Sequence, residues 1–123
     1  MSNLKGLPKN TLKYAAGYSP NDIRTRVVKS FLDILILIEL KKQHQLSGYD
    51  ITTFLNEQFG KIISPGTVYA TLKSMKNNEL LDGNIQDKKT VYTLSAKGQE
   101  TVSIMMIDFH EQMALFSQKF LTL

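Results

Sequence analysis

The sequence predicts a mainly α protein with one small β-hairpin and a long C-terminal helix. Three features indicate this class: serine-led helix starts recur along the chain, two short strand-like segments follow the third start, and the final segment has helical periodicity. The order helix, helix, helix, hairpin, long helix is typical of a winged helix-turn-helix, in which two short helices meet at a tight turn and a two-stranded ribbon follows the second.

The first helix is expected to run from Pro20 to about Lys42. Ser19 provides the N-cap, Pro20 fits the first helical position, and Asp22 faces the positive end of the helix. The run 34–38 is β-branched enough for a strand, but the cap and the length favour a helix that is buried on most sides.

Two shorter helices are expected next. Ser47 begins one whose apolar positions lie three and four residues apart until Gly60 stops it, and Ser64 begins another that runs to about Asn77. The short connection between Gly60 and Ser64 forces these two helices to cross.

A hairpin and a long helix complete the predicted fold. The strands are expected at Leu80–Ile85 and Thr90–Leu94, joined by the polar turn Gln86–Lys89. The chain is helical from Ser95 to near its end, with Gly98 as a weak position in the first turn.

Composition limits the function classes. The 123 residues fit one domain, and the 42% apolar content supplies one core. A net charge of +4 permits an anionic partner, and the absence of cysteine excludes disulfides and thiolate zinc sites. The most apolar stretch, Phe31–Leu40, is shorter than the roughly 20 residues of a bilayer span, and no apolar signal-peptide run opens the chain. We therefore expect a cytoplasmic protein.

Catalytic interpretations have little support. His110 and Glu111 begin a spacing typical of metalloproteases, but Ala114 stands where the second histidine is needed. His44 lies in a polar linker, and no glycine-rich phosphate loop or serine elbow is present. We expect no enzyme, no metal site and no cofactor.

The third helix has two different faces. Val68, Leu72 and Met75 form a core stripe, at about 100° per residue. The opposite face is small, hydrogen-bonding and cationic, and it carries no acid; its residues are Gly66, Thr67, Ala70, Lys73, Ser74 and Asn77. Such a face suits the major groove of DNA, and the alternative is a merely solvated helix face.

Further polar residues flank this helix. Ser64 and the free backbone amides behind it suit an anion, Tyr69 and Lys76 lie beside the core stripe, and two lysines stand at the hairpin turn, where a wing meets phosphates. Solubility alone also explains two turn lysines. The expected DNA-contacting residues are Ser64, Thr67, Tyr69, Lys73, Ser74, Lys76, Asn77, Lys88 and Lys89.

The last helix carries apolar residues at alternating intervals of four and three. This is a heptad seam, the stripe that one helix presents to another. A seam of phenylalanines left in water favours aggregation, so we expect a homodimer; the alternatives are that the helix folds back onto its own domain or binds a different protein. The expected dimerisation residues are Val102, Met106, Phe109, Met113, Phe116 and Phe120.

Three motifs resemble the PadR family of transcriptional regulators. They are Gly48-Tyr49-Asp50-Ile51, Ser64-Pro65-Gly66-Thr67-Val68-Tyr69 and Tyr92-Thr93-Leu94-Ser95-Ala96-Lys97-Gly98. The resemblance implies a winged-helix DNA-binding domain, a homodimer built through the C-terminal and first helices, and a repressor whose DNA affinity falls when an effector binds. Family members can bind small aromatic molecules between subunits, and Phe31, Phe109 and Met113 are candidates to line that space, although plain packing is the simpler interpretation.

The chain also departs from the family pattern. Ala70 replaces a common proline, and Lys88 and Lys89 stand where arginines are usual at the wing. Lysines make point-charge contacts in place of bidentate ones, so the base preference of relatives does not transfer.

We therefore expect a sequence-specific DNA-binding transcriptional regulator, a homodimeric repressor whose partner is double-stranded DNA. The expected division is a basic, flexible arm over 1–18, a winged helix-turn-helix over 19–95 and a dimerisation helix over 96–123. The arm is either a solubilising tail or an extra DNA contact. The alternative function is a protein-interaction module whose C-terminal helix binds a different partner; an unrelated winged-helix group with a coiled-coil dimer fits the Ser64–Tyr69 motif less well.

Overall fold

The computed structural model describes residues 20–123, with side-chain environments from Ile23 onward. The expected arm over 1–18 lies outside the described residues. Within the described residues, five helices and three strands follow one another in the order α1 (Pro20–Ser30), α2 (Leu32–Gln43), β1 (Leu46–Ser47), α3 (Gly48–Phe59), α4 (Pro65–Asn77), β2 (Leu81–Gln86), β3 (Lys89–Leu94) and α5 (Ala96–Leu121). The mainly α winged-helix class with a long C-terminal helix is confirmed.

The first predicted helix is divided in two, so its expected continuity from Pro20 to Lys42 is wrong. Phe31 separates α1 from α2 with φ −115° and ψ 22°, while Phe31 N still donates to Val27 O at 3.1 Å. Just beyond, Ile34 N donates to Asp33 Oδ1 at 2.9 Å. The Ile34 amide therefore bonds a short acidic side chain next to the break, a type of bond that competes with the helical ladder.

The two central helices begin where the cap chemistry predicts. Asp50 N donates to Ser47 Oγ at 3.1 Å, and Ser47 N donates to Asp50 Oδ2 at 3.2 Å, which completes a capping box for α3. Gly60 ends α3 with a left-handed φ of 87°. Ser64 caps α4, with Pro65 in its first turn.

The sheet has three antiparallel strands in the order β1-β3-β2. Strands β2 and β3 form the predicted hairpin, closed by the two-residue turn Asp87-Lys88, whose φ angles of 48° and 65° are both left-handed. Leu46 pairs with Tyr92 in β3, so β1 adds a strand that the sequence analysis missed. Two residues are too few to show an alternating pattern.

One hydrophobic core joins all the elements except β3, whose Tyr92 and Leu94 pack against its edge. Val68, Leu72 and Met75 are 0–3% exposed, so the predicted core stripe of α4 is confirmed. The buried apolar residues are Val28, Leu32, Ile36, Leu37, Leu40, Leu46, Ile51, Leu55, Ile63, Val68, Leu72, Met75, Leu81 and Val102. Because the core holds α4 by this one stripe, the opposite face of the helix remains outside.

The long helix α5 docks through its first turns. Gly98 and Val102 are buried, and Met105 packs against the core. A Cβ on Gly98 would overlap the carbonyl oxygen of Leu80. Gly98 therefore permits a close approach between α5 and the loop before β2, a packing role that goes beyond its expected weakness in a helix. Within residues 20–123, no helix combines the length and the apolarity needed to cross a bilayer.

Candidate nucleic-acid interface

The start of α4 is held by short polar contacts. Thr67 N donates to Ser64 Oγ at 3.2 Å, and the two hydroxyls lie 2.9 Å apart. Thr71 Oγ1 donates to Thr67 O at 2.9 Å. The Thr67 amide is thus already bonded to Ser64, so an anion at this helix start would compete with the cap.

The predicted reading face of α4 lies on the surface. Lys73, Ser74 and Asn77 are exposed, and Thr67 is half-buried. No acidic residue occurs in Pro65–Asn77. The structure brings these four side chains onto one cationic, hydrogen-bonding face.

Tyr69 lies over the first turn of α3. A Cβ on Gly48 would overlap the Tyr69 ring, so the ring rests against the glycine backbone. The side chain nevertheless remains 47% exposed. Gly48 therefore sets where Tyr69 sits on the flank of α4.

We call the space between Tyr69 and the hairpin the wing groove. It measures about 570 Å³, and Tyr69, Lys88, Lys89 and Tyr49 lie along it. The structure thus brings together three of the predicted contacts. Tyr49, which is 69% exposed, was missed by the sequence analysis. Its signal was available in the Gly-Tyr-Asp motif, but the sequence alone gives no reason to place that tyrosine beside the wing.

Lys76 lies away from the wing groove. Its side chain lies over Gly83 of β2, because a Cβ added to this glycine would be 3.4 Å from Lys76 Nζ. It lines a separate space of about 720 Å³ together with Asp82 and Lys97. The structure therefore does not group Lys76 with Tyr69 and the turn lysines.

The predicted seam of α5 divides into three parts. Val102 is 2% exposed and belongs to the core of its own domain. Met106, Phe109 and Met113 line an apolar groove of about 230 Å³ between α2 and α5. Phe116 and Phe120 are 63% and 48% exposed.

An aromatic pair joins the junction of α1 and α2 to α5. The centroids of Phe31 and Phe109 lie 5.0 Å apart with an interplanar angle of 72°, which is an edge-to-face pair. Phe31 is the residue at the break between α1 and α2. The contact therefore links that break to the middle of α5.

Comparisons with known proteins give a family and a fold. The model of the transcriptional regulator PadR-like family matches residues 34–104, which is more than half of the chain. Comparison with curated proteins finds no match.

Solved structures of similar proteins share the architecture. A PadR-like transcriptional regulator from Bacillus cereus has a TM-score of 0.69 at 22% identity, over 76% of this chain and 94% of that one. A PadR family regulator from Clostridium difficile has a TM-score of 0.63 at 22% identity, over 72% and 96%. One from Eggerthella lenta has a TM-score of 0.63 at 16% identity, over 76% and 84%. These likenesses show a shared fold over about three quarters of the chain.

Proposed function

The chain belongs to the PadR-like family of transcriptional regulators, and we propose that it acts as a sequence-specific DNA-binding repressor in the form of a homodimer. Membership makes it a regulator of transcription and not an enzyme, as the sequence analysis expected. The observation that carries the proposal is the outer face of α4, which is exposed, cationic and free of acids. We further infer that it works in the cytoplasm.

Four side chains on that face are proposed to read bases. Lys73 suits guanine acceptors and Asn77 suits an adenine edge, while Thr67 and Ser74 can donate to or accept from either. Small neighbours favour a close approach: Gly66 and Ala70 have almost no side chain to hold the helix away from the groove floor.

Five side chains are proposed to hold phosphates. Tyr69, Lys88 and Lys89 line the wing groove, so a backbone passing between α4 and the wing meets two ammonium groups and the phenol of Tyr69. Ser64 and Lys76 are proposed contacts at the two ends of α4. These contacts position the helix and supply affinity, whereas the base contacts supply the sequence preference.

A homodimer accounts for the exposed apolar surface of α5. Within the described residues, this helix exposes Ile104, Met106, Ile107, Leu115, Phe116, Phe120 and Leu121. Each buried phenylalanine contributes roughly 1.5–3 kcal/mol by area, so pairing of two such helices can sustain a dimer. Two α4 helices related by a two-fold axis then read half-sites about 34–36 Å apart.

The same surface is where we propose that a small aromatic effector lowers DNA affinity. Phe109 and Met113 line the apolar groove between α2 and α5, and Phe31 contacts Phe109. Plain packing between the subunits is the alternative use of these side chains.

Selection of bound sequences from random duplex DNA, followed by footprinting, tests the function. We expect a two-fold-related site whose protected halves are centred about 10–10.5 base pairs apart. Sizing of the free protein at micromolar concentration should give a dimer. A monomer with no preferred duplex would instead favour the protein-interaction module, in which the seam binds a different partner and the face of α4 is idle.

A further inference from the structure

A second groove runs along the other side of α4. It lies between α4 and the junction of α1 with α2, measures about 740 Å³, and we call it the α1–α4 groove. Ser64, Thr67 and Ser74 lie on its α4 side. Lys29 and Asp33 are on the opposite side, and both are exposed.

The position of Lys29 is fixed by the core. Val28 and Leu32, which flank it in the chain, are 1% and 3% exposed. Their burial anchors the last turn of α1 and the first turn of α2 to the domain, so Lys29 and Ser30 stand at a constant place relative to α4. These two residues lie before the family-matched segment 34–104.

The dimensions of B-DNA indicate what this groove could bind. An α-helix with its side chains is about 10–12 Å across, and the major groove is about 12 Å wide, so a helix that lies in it has a phosphate ridge on each side. The wing groove borders one side of α4 and the α1–α4 groove borders the other. Each of the two phosphate ridges of the DNA therefore has one groove of the protein beside it. The wing groove contains Lys88 and Lys89, and the α1–α4 groove contains Lys29.

We propose that the α1–α4 groove seats the second phosphate ridge of the bound duplex, with Lys29 as its cation and Ser30 as a hydroxyl donor. The inference rests on the proposed DNA binding by α4 and adds a contact from α1, an element outside the matched family segment. A lysine here pairs with phosphate as a point charge, and neutralising one phosphate releases its counterion.

Asp33 gives the same groove an opposing charge. Its Oδ1 accepts the amide hydrogen of Ile34 at 2.9 Å, which holds the carboxylate near the α2 start. A phosphate seated beside Lys29 is attracted by that lysine and repelled by Asp33. Asp33 therefore limits the backbone affinity that Lys29 supplies.

Salt titrations of three variants test the proposal on a duplex selected by the wild-type protein, with fluorescence anisotropy as the readout. Lys29→Ala should reduce the slope of log affinity against log salt by about 0.9 per subunit and weaken binding. Asp33→Asn should instead raise affinity about twofold to fivefold at low salt, the range expected for one exposed charge interaction. Lys42→Ala removes the same charge from the exposed last turn of α2 and should leave the slope unchanged.

The outcomes separate this inference from the proposed function. If Lys29→Ala behaves like Lys42→Ala, or if Asp33→Asn does not raise affinity, the α1–α4 groove is not a phosphate seat, while binding through α4 stands. If the wild-type protein prefers no duplex, both proposals are overturned. Urea unfolding of each variant shows whether a lost contact or a lost fold explains a weaker complex; all three changed residues are exposed, so we expect unchanged unfolding midpoints.

Discussion

At the scale of single residues, two glycines determine how closely neighbouring elements approach. Gly48 gives room to the Tyr69 ring, and Gly98 gives room to the carbonyl of Leu80. Neither position has a left-handed φ, so the requirement is space and not backbone conformation. The sequence shows that these residues are glycines, but the atom that comes close to each is contributed by another element and is visible only in the fold.

Gly48→Ala should cost about 0.5–1.5 kcal/mol of unfolding free energy, because its Cβ overlaps the half-exposed Tyr69 ring and the tyrosine must leave its position. In a Tyr69→Ala background the same change should cost almost nothing, since the ring is gone. Urea unfolding of the four proteins in this cycle measures the difference.

Gly66→Ala provides the control, because the nearest atom to its added Cβ is Ser64 Oγ at 3.9 Å. This variant should not lose stability. An equal cost of Gly48→Ala with and without the Tyr69 ring would show that the ring contact does not set the requirement for glycine.

At the scale of elements, helix starts that depend on local signals were predicted from the sequence, whereas features that depend on contacts made in the folded structure were not. The starts of α3 and α4 were correct because a serine cap acts within four residues. The break at Phe31 and the strand β1 were missed: the break coincides with one side-chain bond at Asp33, and the strand exists only because Leu46 meets Tyr92 in β3. Short elements of this kind follow from the assembled fold more than from local pattern.

The hairpin turn provides a prediction at this scale. Lys88 has a φ of 65°, a left-handed conformation that costs a non-glycine residue about 1 kcal/mol. Lys88→Gly should therefore raise the unfolding free energy by about that amount, as measured in urea. On our proposal it should also weaken DNA binding, because the groove loses an ammonium group.

Lys89→Gly serves as the comparison, since Lys89 lies in β3 opposite Gln86. Glycine weakens a strand, so this variant should be less stable than the wild type. Loss of stability in Lys88→Gly as well would contradict the assigned origin of the strain at the turn.

At the scale of the whole molecule, one side carries the outer face of α4 and another carries the apolar surface of α5. Helical periodicity predicted the exposed, acid-free face of α4. Val68, Leu72 and Met75 identify the buried stripe, and the outer face is the side of the helix opposite to it. Periodicity did not predict the positions of Tyr49 and Lys29, because these residues belong to α3 and α1 and reach the grooves beside α4 only in the folded chain. Periodicity describes a single helix, whereas a groove is formed by two or more elements.

Dimerisation is testable on the exposed end of the seam. Phe116→Lys combined with Phe120→Lys places charges on apolar surface that we propose is buried between subunits, so the variant should sediment as a monomer at micromolar concentration. Its affinity for a two-fold-related duplex should fall by at least about a hundredfold, because the second half-site no longer binds as part of the same molecule.

Gln118→Lys introduces a lysine on the opposite side of the same helix and should remain dimeric. Phe116 and Phe120 are exposed within the single chain, so the double variant should keep its folded domain by circular dichroism. A dimer that survives both lysines would contradict pairing through this part of α5.

The central claim is that the outer face of α4 and the wing lie against duplex DNA. The most direct measurement is the dependence of log affinity on log salt for the selected duplex, compared between the wild type and the Lys73→Ala, Lys88→Ala double variant. Both lysines are exposed, and each is proposed to bring one positive charge into the field of the DNA phosphates, which releases about one counterion. We predict that the slope becomes shallower by about two units per subunit. An unchanged slope in a folded double variant would contradict the claim, because the DNA would then bind elsewhere on the molecule.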